Sequence, residues 1–302
     1  MISNKIGLIQ NNLYKLGVPE CPIYLLDGPE PVIVDAGISC GGKIYAEAIR
    51  SILGNRQPSL IFLTHVHWDH CGAVFYLKNQ FPKMKVAASS LSVKILQRHN
   101  AVALIKKLNE NMTTNIKSIP GINSTLLLEE PFSSFEVDVE IADNQELNLG
   151  EDTTIRVLAT PGHTQDHTGY FIPQEKILFA GEAAGVYSGS GAISTEFMFS
   201  YDAYLASLRR MAFLDTEIFC QGHYHHFIGR EEIRNFFDQS INETILFKDR
   251  VMELLAEEAG SIDKVVQRLK AEDYDVAPGP KQWETTYLIN LEAKVAHLAT
   301  DK

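Results

Sequence analysis

Residues 60–72 read Leu-Ile-Phe-Leu-Thr-His-Val-His-Trp-Asp-His-Cys-Gly. Four side chains able to bind a divalent cation stand close together there: His65, His67, Asp69 and His70. Imidazole and carboxylate are the donors that Zn²⁺ and its first-row neighbours take. The apolar run Leu60–Leu63 predicts a buried strand leading into them. Side chains alternate along extended chain, so His65 and His67 share a face. Asp69 and His70 fall where the chain turns into a helix starting near Gly72. A lone histidine is usually a satisfied polar residue. Four donors in H-x-H-x-D-H order at a strand end are not accounted for in that way.

The elements that position them follow from patterning. Residues 4–20 read as a short strand and loop. Cys21–Asp27 and Pro31–Asp35 are apolar strands joined by Gly28-Pro-Glu30, a hairpin. Gly41–Leu53 is a helix with Ile44, Ala48 and Ile52 on one face. Lys85–Ala88 is a strand, and Ser89 or Ser90 caps a helix running to about Leu108. Residues 109–131 show no period and read as a lid or pocket wall. Strands follow at 135–141, 145–149, 154–159, 169–172 and 176–182, a helix near 202–213, and a strand at 217–223. From Arg230 no strand signal returns. Helices are expected at 231–255, 261–269 and 280–299, with turns at Ala259-Gly260 and Pro278-Gly-Pro280. The expected division is a catalytic domain over 1–229 and a helical extension over 230–302 packed on it.

Thr64-His-Val-His-Trp-Asp-His70 resembles the signature of the metallo-β-lactamase-fold hydrolases. The resemblance covers roughly residues 20–225 and implies an α/β (α+β) chain folded as a four-layer αββα sandwich. It also implies a one- or two-metal site at the edge where the sheets meet. Three downstream positions match further ligand motifs: His163 in Thr160-Pro-Gly-His163, His223 in Gln221-Gly-His223, and Glu182 in Ala180-Gly-Glu182. Glu182 departs from the family, which usually has aspartate at that point. His225 and His226 compete with His223, and only the Gly-His pattern favours His223.

Carried over, the resemblance implies His65, His67 and His163 at one metal, Asp69, His70 and His223 at the other, and Glu182 between. The implied cofactors are two divalent ions, zinc first, with iron or manganese according to supply. A metal-bound hydroxide is then the nucleophile and Asp69 orients it. His167, just beyond His163, either starts the next strand or serves catalysis as a substrate contact or proton donor. Tyr187 is a second pocket candidate. Asp35 is expected to cap a turn or steady a ligand histidine. Cys71 is expected to be a buried structural thiol.

The motif set is similar to the thioesterase, glyoxalase-II-like and lactonase branch. It implies hydrolysis of a carboxylic ester, a thioester before a lactone, in a small-molecule substrate. A phosphodiesterase, a diiron redox protein and a non-enzymatic metal-dependent effector are the alternatives. Among 302 residues, 27 Lys+Arg stand against 38 Asp+Glu, a formal net charge of −11. That balance, without a basic cluster, argues against a nucleic-acid partner. No apolar run approaches the ~20 residues of a membrane span, and no signal-peptide pattern opens the chain. Four cysteines without a C-x-x-C pair fit free thiols in a cytoplasmic protein. Trp283 and Tyr287 share a helix face. If that face is exposed, a homodimer follows.

Overall fold

The computed structural model describes residues 1–110, 112–189, 191–277 and 281–300. The chain forms two compact units. One holds Asn4–Ala159 and Thr168–Phe179; the other holds Met1–Ser3, Thr160–His167 and Ala180–Lys302.

The first unit contains a seven-stranded sheet whose neighbours follow chain order: Gly7–Gln10, Leu13–Val18, Cys21–Leu26, Val32–Val34, Leu60–Phe62, Lys85–Ser89 and Val139–Ile141. The first four strands pair antiparallel and the rest parallel. The parallel register needs crossovers, and the helix Gly42–Leu53 supplies the one between Val32–Val34 and Leu60–Phe62. Strands Cys21–Leu26 and Val32–Val34 are buried on both faces, hence their unbroken apolar runs. Glu146–Asn148, Thr154–Ala159, Thr168–Ile172 and the start of Ile177–Gly181 form an antiparallel set in the same unit. The core lies between these two sets. Phe62 meets Tyr170 at 5.2 Å between ring centroids, and Tyr24 meets Phe179 at 5.6 Å.

The second unit pairs Ile2–Ser3 with His226–Ile228, and the latter with Ile218–Gln221, all antiparallel. A hairpin joins Val186–Tyr187 to Ile193–Ser194. Helices Tyr201–Ala212, Arg230–Glu257, Ile262–Leu269 and Glu284–Thr300 complete the unit. Ser200 caps the first of them, accepting the Ala203 amide. Phe219, Phe227, Phe236 and Phe237 stack the strands against the long helix, with centroids 4.7–5.7 Å apart.

Several elements differ from expectation. Residues 4–20 hold two strands, Gly7–Gln10 and Leu13–Val18, joined by a tight turn with Asn11 at φ 50°. The helix after Ser89 stops at Leu96 and resumes at His99. Residues 109–131 contain a helix, Met112–Lys117, anchored by buried Met112 and Ile116. Of 135–141 only Val139–Ile141 joins the sheet. The His226–Ile228 strand is new; three residues are too short for an alternation signal. The expected Pro278-Gly-Pro280 turn lies outside the described residues. Trp283 and Tyr287 are half-buried, and Tyr287 stacks on Tyr274 at 4.4 Å. Among the described residues no helix is long and apolar enough to cross a membrane.

Candidate metal centre

The first unit carries one set of donors. The Leu60–Phe62 strand runs into Leu63 and Thr64, and His65, His67, Asp69 and His70 follow directly. His67 precedes the short helix Trp68–Cys71, which places Asp69 in its first turn and His70 in its last. The His65 ring sits 4.4 Å from those of both His67 and His70, centroid to centroid. The candidate donor atoms of His65 and His67 lie within 4.8 Å of each other, as do those of Asp69 and His70. Neutral imidazoles are what a metal takes.

Second partners fix the ring orientations. Asp35 Oδ2 lies 2.8 Å from His70 Nδ1. Asp35 Oδ1 accepts the Thr64 amide at 2.8 Å, and both carboxylate oxygens accept the Thr64 hydroxyl. Thr64 Oγ1 is also 3.0 Å from His65 Nδ1. Engaging Nδ1 in this way sets the tautomer and makes Nε2 the donor for a cation. Of the two roles expected of Asp35, capping a turn or steadying a histidine, its contact with His70 Nδ1 is the second. The helix bearing Asp69 is tied down from behind. Asn109 donates to Trp68 O at 3.1 Å and accepts the Ser39 amide at 2.9 Å, and Ser39 Oγ donates to Gly72 O. Cys71 is buried and forms no disulfide.

The second unit carries the other set. His163 sits on the turn Thr160–His167. Gly162 makes that turn fit: at φ 136° it lies against the Tyr201–Ala212 helix, and a Cβ there would come 2.2 Å from Tyr204 Cα. Ser207 Oγ donates to Pro161 O at 2.8 Å and holds the same turn. His163 Nδ1 lies 2.6 Å from Glu196 O. Its Nε2 is 3.7 Å from Glu182 Oε1, and His223 Nε2 is 3.0 Å from the same oxygen. One carboxylate, 4% exposed, thus stands between two imidazoles. A carboxylate buried this far needs compensating positive charge. His167 is buried, with Nδ1 2.8 Å from Thr160 Oγ1 and its ring 5.9 Å from that of His163. Gln221 binds both Tyr187 backbone groups and His223 O, joining the hairpin to the ligand loop. His226 is a buried residue of the His226–Ile228 strand, and His225 Nδ1 sits 3.1 Å from Tyr187 O.

The donors of both sets are imidazoles and carboxylates, the types that a divalent cation takes. Thr64, Gln221, Tyr204 and Glu196 are the supporting residues that motif reading missed. Thr64 and Gln221 lie inside the motifs themselves. Glu196 acts through its backbone carbonyl, which leaves no trace in residue type.

The profile of the metallo-beta-lactamase superfamily matches residues 16–223, a span that includes all seven donors. The chain is 27% identical over 239 residues to a hydroxyacylglutathione hydrolase of Francisella tularensis subsp. novicida, covering 78% of this chain and 75% of that one. It is 27% identical over 198 residues to the acyl-coenzyme A thioesterase MBLAC2 of Homo sapiens, covering 63% and 66% of the two chains. A metallo-beta-lactamase superfamily protein of Sulfolobus tokodaii, 19% identical, superposes with TM-score 0.57 over 96% of this chain and 98% of its own. The shared fold is mixed α/β, two large sheets with helices. On its profile match, its fold and its donor residues, the chain belongs to the metallo-β-lactamase superfamily, whose members among its relatives are hydrolases.

Proposed function

We propose that the two donor sets form one dinuclear centre that hydrolyses a thioester in a small-molecule substrate. His65, His67 and His163 would hold one ion and Asp69, His70 and His223 the other, with Glu182 in reach of both groups. The carrying observation is Glu182 Oε1, set between His163 Nε2 and His223 Nε2. A carboxylate so placed keeps the charge of the family's usual aspartate and could lie between two cations.

When bound, the ions supply Lewis acidity for water activation and oxyanion stabilisation. Asp69 accepts a hydrogen bond from the attacking water and orients it. Asp35 and Glu196 O keep His70 and His163 from rotating. His167 contacts the substrate or hands a proton to the leaving group. The catalytic part is residues 1–229, and the helices from 230 on cap it. Zinc is the first metal to try. The cytoplasm is the proposed setting.

The thioester reading is supported by two relatives. Hydroxyacylglutathione and acyl-coenzyme A are both thioesters, joined to otherwise unlike groups. The test is metal content followed by a panel of thioester, lactone and phosphodiester substrates. Two ions per chain with turnover of a thioester is the expected result. Turnover of a phosphodiester alone, with metal bound, replaces the substrate class. No metal uptake removes the centre.

A further inference from the structure

We infer that Lys294, on the last helix, is a positioning residue for His163, so that this helix is a working part of the metal centre. The inference rests on the reading of His163 and Glu182 as metal ligands. Lys294 lies on Glu284–Thr300 and is 5% exposed. Its ammonium donates to Thr195 O at 2.8 Å and stands 3.9 Å from Glu196 Oε2. It also lies 5.1 Å from the centre of the Phe247 ring. Three residues on, His297 Nε2 accepts the Tyr201 amide at 3.0 Å. Positions three apart share a helix face, so one face of this helix grips both ends of the segment 195–201.

Glu196 is the node of that segment. Its carbonyl meets His163 Nδ1 at 2.6 Å. Its amide donates to the Tyr204 hydroxyl at 3.3 Å, and that hydroxyl donates to Glu182 O at 3.3 Å. Its carboxylate accepts Ser194 Oγ at 2.8 Å. Two of the three donors in this unit therefore hang from one residue, and Lys294 fixes that residue through the preceding carbonyl and through charge. Fold stability alone gives little reason for a lysine here. A buried ion pair is often no more stabilising than apolar side chains of the same volume. What an ammonium adds is direction: it holds a carbonyl and a carboxylate at set positions. Partners behind a ligand commonly set metal affinity.

The test uses the full chain and two variants. Lys294→Met keeps length and drops the charge. Lys294→Met/Glu196→Gln drops both charges, so no carboxylate is left buried opposite a missing ammonium, and it serves if the single variant fails to fold. Three quantities are read: zinc affinity by chelator competition, thermal unfolding, and the His163 ring ¹H–¹⁵N signals of metal-free, ¹⁵N-histidine-labelled protein. The double variant is expected to unfold near the wild-type temperature. One of its two ions should bind roughly tenfold or more weakly, with the His163 Nδ1–H signal shifted or broadened. A lysine that only stabilises the fold lowers the unfolding temperature and leaves ring signal and affinity unchanged; that result overturns the inference. Wild-type protein that takes up no zinc sinks the metal reading instead. The ring signal then still reports on the link between Lys294 and His163, and an unchanged signal rejects it.

Discussion

Asp35 binds Thr64 and His70 with the same carboxylate: Oδ1 accepts the Thr64 amide and Oδ2 lies 2.8 Å from His70 Nδ1. The strand end and the ligand after the turn are thereby fixed to one anchor. Asp35→Ala should weaken zinc binding roughly 10–100-fold, as loss of a ligand's partner commonly does. It should also cost about 1–3 kcal/mol by leaving buried donors unsatisfied. Asp35→Asn, which keeps one acceptor, should retain more of both. Denaturant titration and chelator competition give the two numbers. Wild-type zinc affinity in the alanine variant would show that His70 needs no anchor.

Glu182 offers a sharper test. Glu182→Gln keeps the size and removes the charge that stands between His163 and His223. One ion should be lost, and kcat should fall more than KM rises, because the missing element serves the reaction rather than binding. Glu182→Asp restores the family's usual residue and should hold both ions. Full metal loading and unchanged kcat in the glutamine variant would remove Glu182 from the centre.

The competing histidines separate by what they lose. His223 is half-buried beside Glu182, whereas His226 is a buried residue of a strand, paired with Cys220. His223→Ala should release an ion with little change in stability. His226→Ala should keep both ions and cost about 1–3 kcal/mol for the emptied core position. Elemental analysis of both proteins decides. The reverse metal pattern would exchange their roles.

Burial pushes the Tyr204 hydroxyl well above its ordinary value, so it stays protonated in the folded chain. The unfolded chain loses that proton near pH 10 while the folded chain keeps it. The raised value means stability is full below that pH and falls as pH rises beyond it. Tyr204→Phe should flatten this alkaline decline. At neutral pH it should cost about 1–2 kcal/mol for two lost hydrogen bonds. Unfolding at pH about 8 and about 11 measures both effects. An equal decline in the phenylalanine variant would assign it to other groups.

His163, Glu182 and His223 were legible as candidate donors because each follows a strand within a motif of its own, whereas His65, His67, Asp69 and His70 stand out by their close spacing after one apolar strand. Val32–Val34 and Leu60–Phe62 were legible because buried strands read as apolar runs. The partners behind the donors were less so. Glu196 and Lys294 meet across 98 residues of sequence, and no local pattern reports a contact of that range. The short strands Ile2–Ser3 and His226–Ile228 form by pairing with residues distant in sequence or across a turn, the first with the second and the second also with Ile218–Gln221. Met112–Lys117 is helical because Met112 and Ile116 find a core to enter, which overrides a stretch rich in Thr and Asn.

The two donor sets differ in when a growing chain can finish them. Asp35, Thr64, Ser39 and Asn109, which brace the first set by hydrogen bonds, all precede residue 110. The His163 turn leans on Glu196, Tyr204 and Ser207, and beyond them on a helix that ends at Thr300. During synthesis from the N-terminus, the imidazoles of the first set can settle while much of the second is still unmade. Premature termination shortly before that last helix would thus yield a product that keeps Glu196, Tyr204 and Ser207 beside the His163 turn but lacks Lys294 and His297, which hold the segment 195–201.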